Sequence, residues 1–400
     1  MRARAWLAWI LVVAGCAAPP TGPPEPVESF VARHWRAPLA PQGPAPTRFS
    51  ALEASLSPDA CGTCHPAQLA DWRTSTHAAS MGPGVAGQLV EMLGSDPRGA
   101  LACQNCHAPL AEQAPLRPDT LAANPDFDPA LRARGIPCAG CHVRAHERFG
   151  PPRRDGSLAS AAPRETLPHG GVTRTPAYLA SEFCRGCHQF GPDGYALEGK
   201  PLENTYNEWK ASRFAAAGVQ CQDCHMPDRR HLWRGIHDPE MVRRGLTIAV
   251  VDEPAPAGRV AARLVIENTG VGHRFPTYVT PIVVMRAELV DAAGRAVAGT
   301  REERRIGREV TLDLERELSD TRLRPGERAE LPYARALEHG AVAARFSVVV
   351  YPDAFYTAFY EGLLRQGAGR GEAEIRAALA ETRRSAFTVF EALSRPRSAR

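Results

Sequence analysis

Three features are scarce or missing in this 400-residue sequence, and each restricts what the chain can be. The apolar run at residues 5–14 is far shorter than the roughly twenty residues that a membrane-spanning helix needs. Apolar periodicity is weak from residue 17 to about residue 240, so this region has little with which to build an ordinary hydrophobic core. Of the 11 cysteines, only Cys16 lies outside a repeated motif, which argues against a disulfide framework.

The other cysteines occur in five copies of the motif C-x-x-C-H. Two cysteines at this spacing can add to the two vinyl groups of one haem, and the histidine that follows is placed to bind the iron. The sequence therefore predicts five covalently bound haems c. The predicted thioether cysteines are Cys61, Cys64, Cys103, Cys106, Cys138, Cys141, Cys184, Cys187, Cys221 and Cys224. The predicted proximal iron ligands are His65, His107, His142, His188 and His225.

Paired cysteines also bind zinc, and zinc is the main alternative reading of the motifs. Zinc sites do not require a histidine at the same offset in every copy, and a disulfide framework requires no histidine at all. The repeated complete motif favours haem over both. Each haem buries a large flat apolar surface and ties the chain to it, so we expect haem to replace a side-chain core. The apoprotein should then be largely unfolded.

The N-terminus is typical of a secretion signal that ends in lipid attachment. Two arginines precede the apolar run, which ends in the tetrapeptide V-A-G-C at Cys16, similar to the bacterial lipoprotein cleavage box. We predict a signal peptide over residues 1–15 and an acylated Cys16 that anchors the exported protein to a membrane. Ala17 is not the aspartate that often retains lipoproteins at the inner membrane, which favours the outer membrane. An ordinary signal peptide with a lone cysteine is the alternative.

Composition divides the rest of the chain into four parts. Residues 16–50 are rich in proline and predict an extended, semi-stiff tether, in which His34 should face solvent. Residues 51–240 hold the motifs and predict a loop- and helix-rich haem domain. Short β-rich runs between turn signals predict a small antiparallel β-sandwich over 241–352. Apolar periodicity predicts a helical C-terminal segment over 353–400, and the fold class is therefore α+β.

Beyond the motifs themselves, the chain resembles the multihaem cytochromes c. The pattern W-x-x-S-x-H ending at His77 and the run C-Q-D-C-H-M-P from Cys221 are similar to segments of the tetrahaem carriers related to hydroxylamine oxidoreductase and pentahaem nitrite reductase. The resemblance covers residues 57–238 and lies in the motifs, not in the sequence between them. It implies that other histidines close the second axial position of each iron, with His77 and His146 among them.

The chain carries 13 histidines, so eight lie outside the five motifs and every iron can receive a second imidazole. Besides those two, we favour His169 and His237 as distal ligands, with His231 in reserve. Bis-histidine ligation gives lower potentials than methionine ligation, so mostly low-spin, low-potential haems are expected. The methionines near the motifs are expected to pack against neighbours instead.

One further candidate ligand lies in the β-rich region. The segment G-V-G-H-R-F-P-T at residues 270–277 is similar to one that follows the haem region in multihaem cytochromes. Its glycines would let a loop approach a haem closely, with His273 as a distal ligand donated by the β domain. A structural turn with a hydrogen-bonded histidine is an equal alternative.

Together these features predict a membrane-anchored carrier that passes electrons through five haems between redox partner proteins. The alternative is a reductase or oxidase of a small nitrogen or sulfur compound with one open-coordinate haem. Pentahaem nitrite reductases typically have lysine at the catalytic haem, whereas every motif here ends in histidine, so no catalytic residue is predicted. A docking subunit that recognises a partner through the β domain is a third possibility.

The formal charge of +4 does not indicate nucleic-acid binding, because haem propionates offset the arginines.

Overall fold

A computed structural model describes residues 25–160 and 162–396 of the chain. The predicted signal peptide, the predicted acylation site Cys16 and the first part of the predicted tether lie outside these residues. Short helices with a few very short strands make up the first part of the described chain, and long strands dominate the second. The predicted α+β class is confirmed.

The α-helices of the described chain are short, and none is long and apolar enough to span a membrane. They are α1 Val27–His34, α2 Ala51–Ala54, α3 Pro58–Gly62, α4 Pro66–Trp72, α5 Pro83–Ser95, α6 Pro97–His107, α7 Pro129–Arg132, α8 Cys138–His142, α9 Arg185–His188, α10 Thr205–Lys210, α11 Arg213–Ala216, α12 Cys221–His225, α13 Pro239–Gly245, α14 Ala354–Gln366 and α15 Glu372–Thr382. Several begin with proline, whose fixed φ suits the first helical position. Polar caps precede some of these prolines, such as Ser57 before α3, Asp96 before α6 and Asp238 before α13.

Strands are two to four residues long in the haem region and mostly much longer after it. They are β1 Val143–Arg144, β2 Glu147–Gly150, β3 Thr173–Arg174, β4 Ala196–Leu197, β5 Lys200–Pro201, β6 Leu246–Asp252, β7 Arg259–Asn268, β8 Ile282–Asp291, β9 Glu302–Val310, β10 Glu317–Asp320, β11 Arg328–Ala336, β12 Ala341–Tyr351 and β13 Phe387–Ser394.

Two antiparallel sheets share one core after α13. The larger sheet has the strand order β10-β9-β8-β12-β13, and the smaller has the order β11-β7-β6. Side chains along β7 alternate between buried and more exposed, as a strand with one covered face requires. Leu264 and Ile266 of β7 share the core with Phe346 and Val348 of β12. Burying side chains of this size contributes about 1.5–3 kcal/mol each, so the sandwich has a core of its own.

The haem region, in contrast, has no single side-chain core among its described residues. Its buried apolar side chains form separate small clusters, one around Leu110, one around Phe30 and one around Leu89. This arrangement agrees with the expectation that the haems themselves supply the missing apolar contacts.

The prediction of an extended tether over 16–50 is wrong at residues 27–34, and so is the solvent-facing His34. Residues Val27–His34 form helix α1, in which Phe30 is 1% exposed and His34 is fully buried. The two rings stack at 4.8 Å and pack against Phe149 of β2. The prolines that suggested a tether lie on either side of this helix and do not interrupt it. The overall composition of residues 16–50 therefore gives no sign that one face of α1 is apolar and buried.

The C-terminal segment is only partly helical. Helices α14 and α15 agree with the prediction, but Phe387–Ser394 forms β13 and pairs antiparallel with β12. The apolar residues Phe387, Phe390 and Leu393 are three positions apart, which suggested a helix. These residues form a strand because the edge of β12 offers them backbone hydrogen bonds. Pairing with a neighbouring strand overrides the helical spacing of a few apolar residues.

Candidate haem sites

Each C-x-x-C-H motif lies in or beside a single helical turn. Helices α8 and α12 consist of one motif each, and the second motif is the last turn of α6. The first motif covers the end of α3, and the fourth runs from Cys184 through α9. Residues three apart in a helical turn face the same side, so both sulfur atoms of a motif can reach one haem. We number the sites 1 to 5 in chain order.

Cysteines of different motifs lie side by side, and all ten are free of disulfide bonds. In three pairs the thiol of one motif shifts the pKa of a thiol of another, so the two lie close together, namely Cys61 with Cys138, Cys106 with Cys187, and Cys184 with Cys221. Cys141 also lies near Cys184 and Cys187. The paired thiol raises the pKa of each of these two cysteines most, burial raises it further, and Cys141 adds a smaller contribution. These contacts join sites 1, 3, 4 and 5 in a row and attach site 2 to site 4.

Three motif histidines face a second histidine across a gap of the right width for an iron atom. The ring centroids of His188 and His77 are 6.2 Å apart, those of His142 and His231 are also 6.2 Å apart, and those of His225 and His273 are 6.4 Å apart. Two metal–imidazole bonds of about 2 Å each, plus about 1 Å from each nitrogen to its ring centre, give roughly 6 Å. Each pair can therefore hold one haem iron between two Nε2 atoms.

Hydrogen bonds at Nδ1 orient most of these rings and leave Nε2 free for a metal. Nδ1 donates to a backbone carbonyl in His107, His142, His225, His273 and His169, at 2.6–3.1 Å. Nδ1 of His188 instead donates to the phenol oxygen of Tyr278, at 2.7 Å.

Burial keeps these imidazoles neutral, which is the form that binds a metal. Removal from water, as the largest cause, lowers the pKa of His77 to about 3 and those of His142, His188 and His273 to about 4. Neighbouring imidazoles lower them further, because two positive rings cannot share so small a space.

A cavity of about 440 Å³ is lined by His169, His146, Arg48 and Arg148. His169 lies near His65, whose charge adds to the burial that lowers the pKa of His169. Its backbone has φ +43°, a left-handed conformation that non-glycine residues adopt rarely and that is found at functional sites. Nδ1 of His169 is taken by the carbonyl of Gly171, so its Nε2 is available to an iron.

The other two predicted distal ligands are placed differently. Nε2 of buried His146 bonds the carbonyl oxygen of Gly43 at 2.9 Å, so its usual ligating atom is already engaged. His237 has a side chain that is 45% exposed, and its Nε2 lies 3.0 Å from Oδ1 of Asp353. Neither ring pairs with a motif histidine among the described residues.

His107 of site 2 has no second imidazole opposite it in the part of the chain that the structure describes. The one histidine found to interact with it is His188, which already faces His77. His65 likewise lacks a paired ring at this distance, but His169 and His231 both lie near it. Within the described residues, site 2 is therefore the one motif without a histidine candidate for its sixth position.

Acidic side chains gather near the cysteines of site 2. Burial raises the pKa of Glu203 to about 9, with a smaller contribution from Cys106, and its buried Oε2 lacks a hydrogen-bond partner within the described chain. After burial, the carboxyl of Glu203 raises the pKa of Tyr278 and of Tyr356, and Tyr356 also lies near Cys103. All three groups keep their protons at neutral pH.

Buried hydrogen-bond donors of the haem region suit a group with carboxylates. Nε1 of Trp35 and Nη2 of Arg144 lack partners among the described residues. Arg144 and Arg148 bond backbone carbonyls there, and burial lowers the pKa of both. Haem propionates would satisfy such donors, and guanidinium groups are well matched to carboxylates. The residues present therefore fit haem c.

Some groups that lie at these sites are weakly marked by the sequence, or not marked at all. His231 was held in reserve, although it stands opposite His142. Tyr278 was not considered, although it lies five residues after His273 in the same loop. Glu203 lies in a polar stretch that gives no local sign of burial, so nothing in the sequence marked it.

Residues 60–143 match the family model described as cytochrome c554 and c-prime. This range includes the first three motifs. No curated protein matches the chain.

The fold is similar to that of a penta-heme cytochrome c552 from Thermochromatium tepidum, with a TM-score of 0.60. The match covers 86% of this chain and 100% of that chain, at 19% sequence identity. At this identity the likeness concerns the fold alone. The motif geometry, the family-model match and the shared fold together support a multihaem cytochrome c that binds haem c covalently.

Proposed function

We propose that this chain is an exported electron carrier in which five haems c form one continuous array. The observation that carries the proposal is the set of three imidazole pairs at 6.2–6.4 Å. An iron closed by two histidines has no free position for a substrate, so its chemistry is electron transfer. The protein then contributes spacing, ligation and control of solvent access.

The proposed axial ligands differ in part from those that the sequence favoured. His231 replaces His146 and His237 in the set. The proposed pairs are His65 with His169, His142 with His231, His188 with His77, and His225 with His273, while His107 binds its iron alone.

The contacts between motif cysteines support a route for electrons. Site 1 adjoins site 3, site 3 adjoins site 4, and site 4 adjoins both site 5 and site 2. Electrons that enter at either end of the row would pass through site 4, and site 2 is a branch from it. Redox partner proteins are expected at the two ends.

Selective removal of haems tests this route. Haem 3 is removed by Cys138→Ala with Cys141→Ala, and haem 2 by Cys103→Ala with Cys106→Ala. The reduced holoprotein is mixed with a fast artificial oxidant, and the haem absorbance is followed. Without haem 3, haem 1 has no neighbouring haem to pass its electron to. Its oxidation should therefore appear as a separate slow phase whose amplitude corresponds to one haem. Loss of haem 2 should leave one fast phase, and identical kinetics in both variants would contradict the route.

A second function, reduction or oxidation of a small nitrogen or sulfur compound, is favoured by site 2 alone. His107 lacks an opposite imidazole in the described chain, and Glu203 and Tyr356 lie near its cysteines with their protons retained. An iron with an open position can bind a small ligand, and nearby acids can supply protons to it. Carbon monoxide binding to the reduced holoprotein tests this. Binding of one carbon monoxide molecule per chain would support this second function, and the absence of binding would rule it out.

The membrane anchor remains part of the proposal. Residues 17–26 separate Cys16 from the start of α1 at Val27, and extended chain spans at most about 3.6 Å per residue. A lipid on Cys16 would therefore hold the haem array within roughly 35 Å of the bilayer surface. Replacing Cys16 with serine should move the holoprotein from the membrane fraction to the soluble exported fraction. An unchanged membrane fraction would refute the anchor.

A further inference from the structure

The histidine of site 4 differs from the other candidate ligands in the group that its Nδ1 bonds. Nδ1 of His188 donates to the hydroxyl of Tyr278 at 2.7 Å, and the two rings stack with centroids 6.4 Å apart. At every other site with a bonded Nδ1, the acceptor is a backbone carbonyl. A side chain can be exchanged by mutation or evolution, whereas a carbonyl cannot.

Tyr278 belongs to the β domain. It lies in the loop between β7 and β8, the same loop that places His273 opposite His225 at site 5. This one loop therefore contacts the ligands of two neighbouring sites. Site 4 is also where the row of haems branches.

The phenol lies at the start of a row of polar side chains that leads away from the haem. The side chain of Thr205 lies next to Tyr278, and Oγ1 of Thr205 lies 2.8 Å from Oγ1 of Thr277. The hydroxyl of Thr277 donates to Oε2 of Glu208 at 3.1 Å. Since each hydroxyl has one proton to donate, Thr277 accepts from Thr205.

Arginines hold the carboxylate at the end of this chain. Nη1 of Arg322 lies 3.2 Å from Oε1 of Glu208, and the backbone N–H of Arg274 donates to Oε2 at 3.2 Å. Arg322 is itself fixed by Asp320 at 2.8 Å. Burial raises the pKa of the Glu208 carboxyl, and Arg322 and Arg274 act against that rise. The far end of the chain is therefore held by groups of the β domain, not by solvent.

An acceptor at Nδ1 makes an imidazole a stronger electron donor to its iron, and this stabilises the ferric state. Hydrogen bonds in series polarise one another, so a carboxylate at the far end strengthens the acceptor at the near end. The reduction potential of a haem responds to such hydrogen bonds around its ligands. A chain of this kind thus gives the β domain a means to adjust one haem.

We propose that Tyr278 is a positioning residue that sets the reduction potential of the haem at site 4 through its hydrogen bond to His188. The chain through Thr205 and Thr277 to Glu208 supports this bond. The inference rests on the proposed role of His188 as an axial ligand. Tyr278 touches no iron in this account and acts only through His188.

The test is a potentiometric titration of the holoprotein, followed by electron paramagnetic resonance, with the variant Tyr278→Phe. Loss of the acceptor should raise the potential of a single haem and move the g values of a single low-spin signal. A tenfold change in one reduction equilibrium corresponds to about 59 mV. Thr277→Val leaves the phenol in place but cuts the chain, so it should shift the same haem in the same direction by less.

Tyr333→Phe is the matched control, because Tyr333 is a buried tyrosine of the same domain whose hydroxyl donates to the carbonyl of Thr300 at 2.8 Å. It should leave all haem potentials unchanged. If Tyr278→Phe holds five haems and its potentials and g values equal those of the wild type, the proposal is refuted. Equal shifts in Tyr333→Phe and Tyr278→Phe would also overturn it.

A third variant separates this proposal from the ligand assignment. His77→Ala should convert one haem to high spin if His77 and His188 share an iron. No change there would defeat the proposed ligand pair itself. If His77→Ala gives a high-spin signal and Tyr278→Phe leaves the potentials and g values unchanged, only the proposed role of Tyr278 is refuted.

Discussion

His142 and His231 face each other with their ring centroids 6.2 Å apart, although 88 residues separate them in the chain. The segment that carries His231 is fixed by Asp71, whose Oδ2 accepts from the backbone N–H of His231 at 3.1 Å. Arg230 pairs with the same carboxylate at 2.5 Å. His231 is thus held across site 3, whereas His237 points to Asp353.

Replacing His231 with alanine should convert one low-spin haem to high spin, because site 3 then loses its sixth ligand. The change is measured by electron paramagnetic resonance of the ferric holoprotein. His237→Ala is the control and should leave every haem signal unchanged. High spin in the His237 variant and none in the His231 variant would reverse the proposed assignment.

His273→Ala should have two effects. One haem should become high spin, because His273 faces His225. The β domain should also become easier to cleave from the haem region by limited proteolysis, since an iron–imidazole bond between them is lost. His339, which lies on the surface with a side chain 77% exposed, provides the control His339→Ala. Equal proteolysis of both variants would argue against the cross-link.

Phe30→Ala should destabilise the haem region, because Phe30 is 1% exposed and packs on Phe149. Removal of a buried phenylalanine costs about 3–5 kcal/mol. The midpoint of denaturant unfolding, followed by haem absorbance, should fall accordingly. Leu52→Ala removes a side chain that is 43% exposed and should change the midpoint little. A tether that packs on nothing would give no shift in either variant.

Glu203 should make stability depend on pH. Burial raises its pKa from 4.5 to about 9, so the folded protein binds a proton that the unfolded chain releases. Stability from this group is fully present below about pH 4.5 and is lost as the pH rises toward 9, by at most about 1.4 kcal/mol per pH unit. Glu203→Gln should flatten the profile of thermal midpoint against pH across this window. The exposed Glu338 gives the control variant Glu338→Gln, which should keep the wild-type profile. If the profile of Glu203→Gln also runs parallel to that of the wild type, buried Glu203 is not the source of the pH dependence.

The thioether cysteines and proximal histidines are predicted from the sequence alone because their chemistry is local. One helical turn brings two cysteines to one face, so the motif alone names Cys61 and Cys64 or Cys221 and Cys224. No fold is needed to relate them. The same holds for the β-rich runs, whose alternation is visible in β7.

The distal ligands could not be ranked in this way, because each comes from a remote part of the chain. His146 follows its motif closely in sequence but bonds the carbonyl of Gly43, while His231 crosses from another segment. His34 was assigned to solvent because composition hides the buried face of α1. Strand β13 depends on the edge of β12, which no local period reveals.

The spin states of the five irons test the account most directly. Electron paramagnetic resonance of the ferric holoprotein, with every signal integrated, should give four low-spin haems and one high-spin haem. The high-spin signal should alter in Ser80→Pro, in which Nδ1 of His107 loses a correctly placed carbonyl acceptor, and should persist in His237→Ala. Two or more high-spin haems would contradict the ligand pairs proposed for this protein, and five low-spin haems would contradict the open position proposed opposite His107.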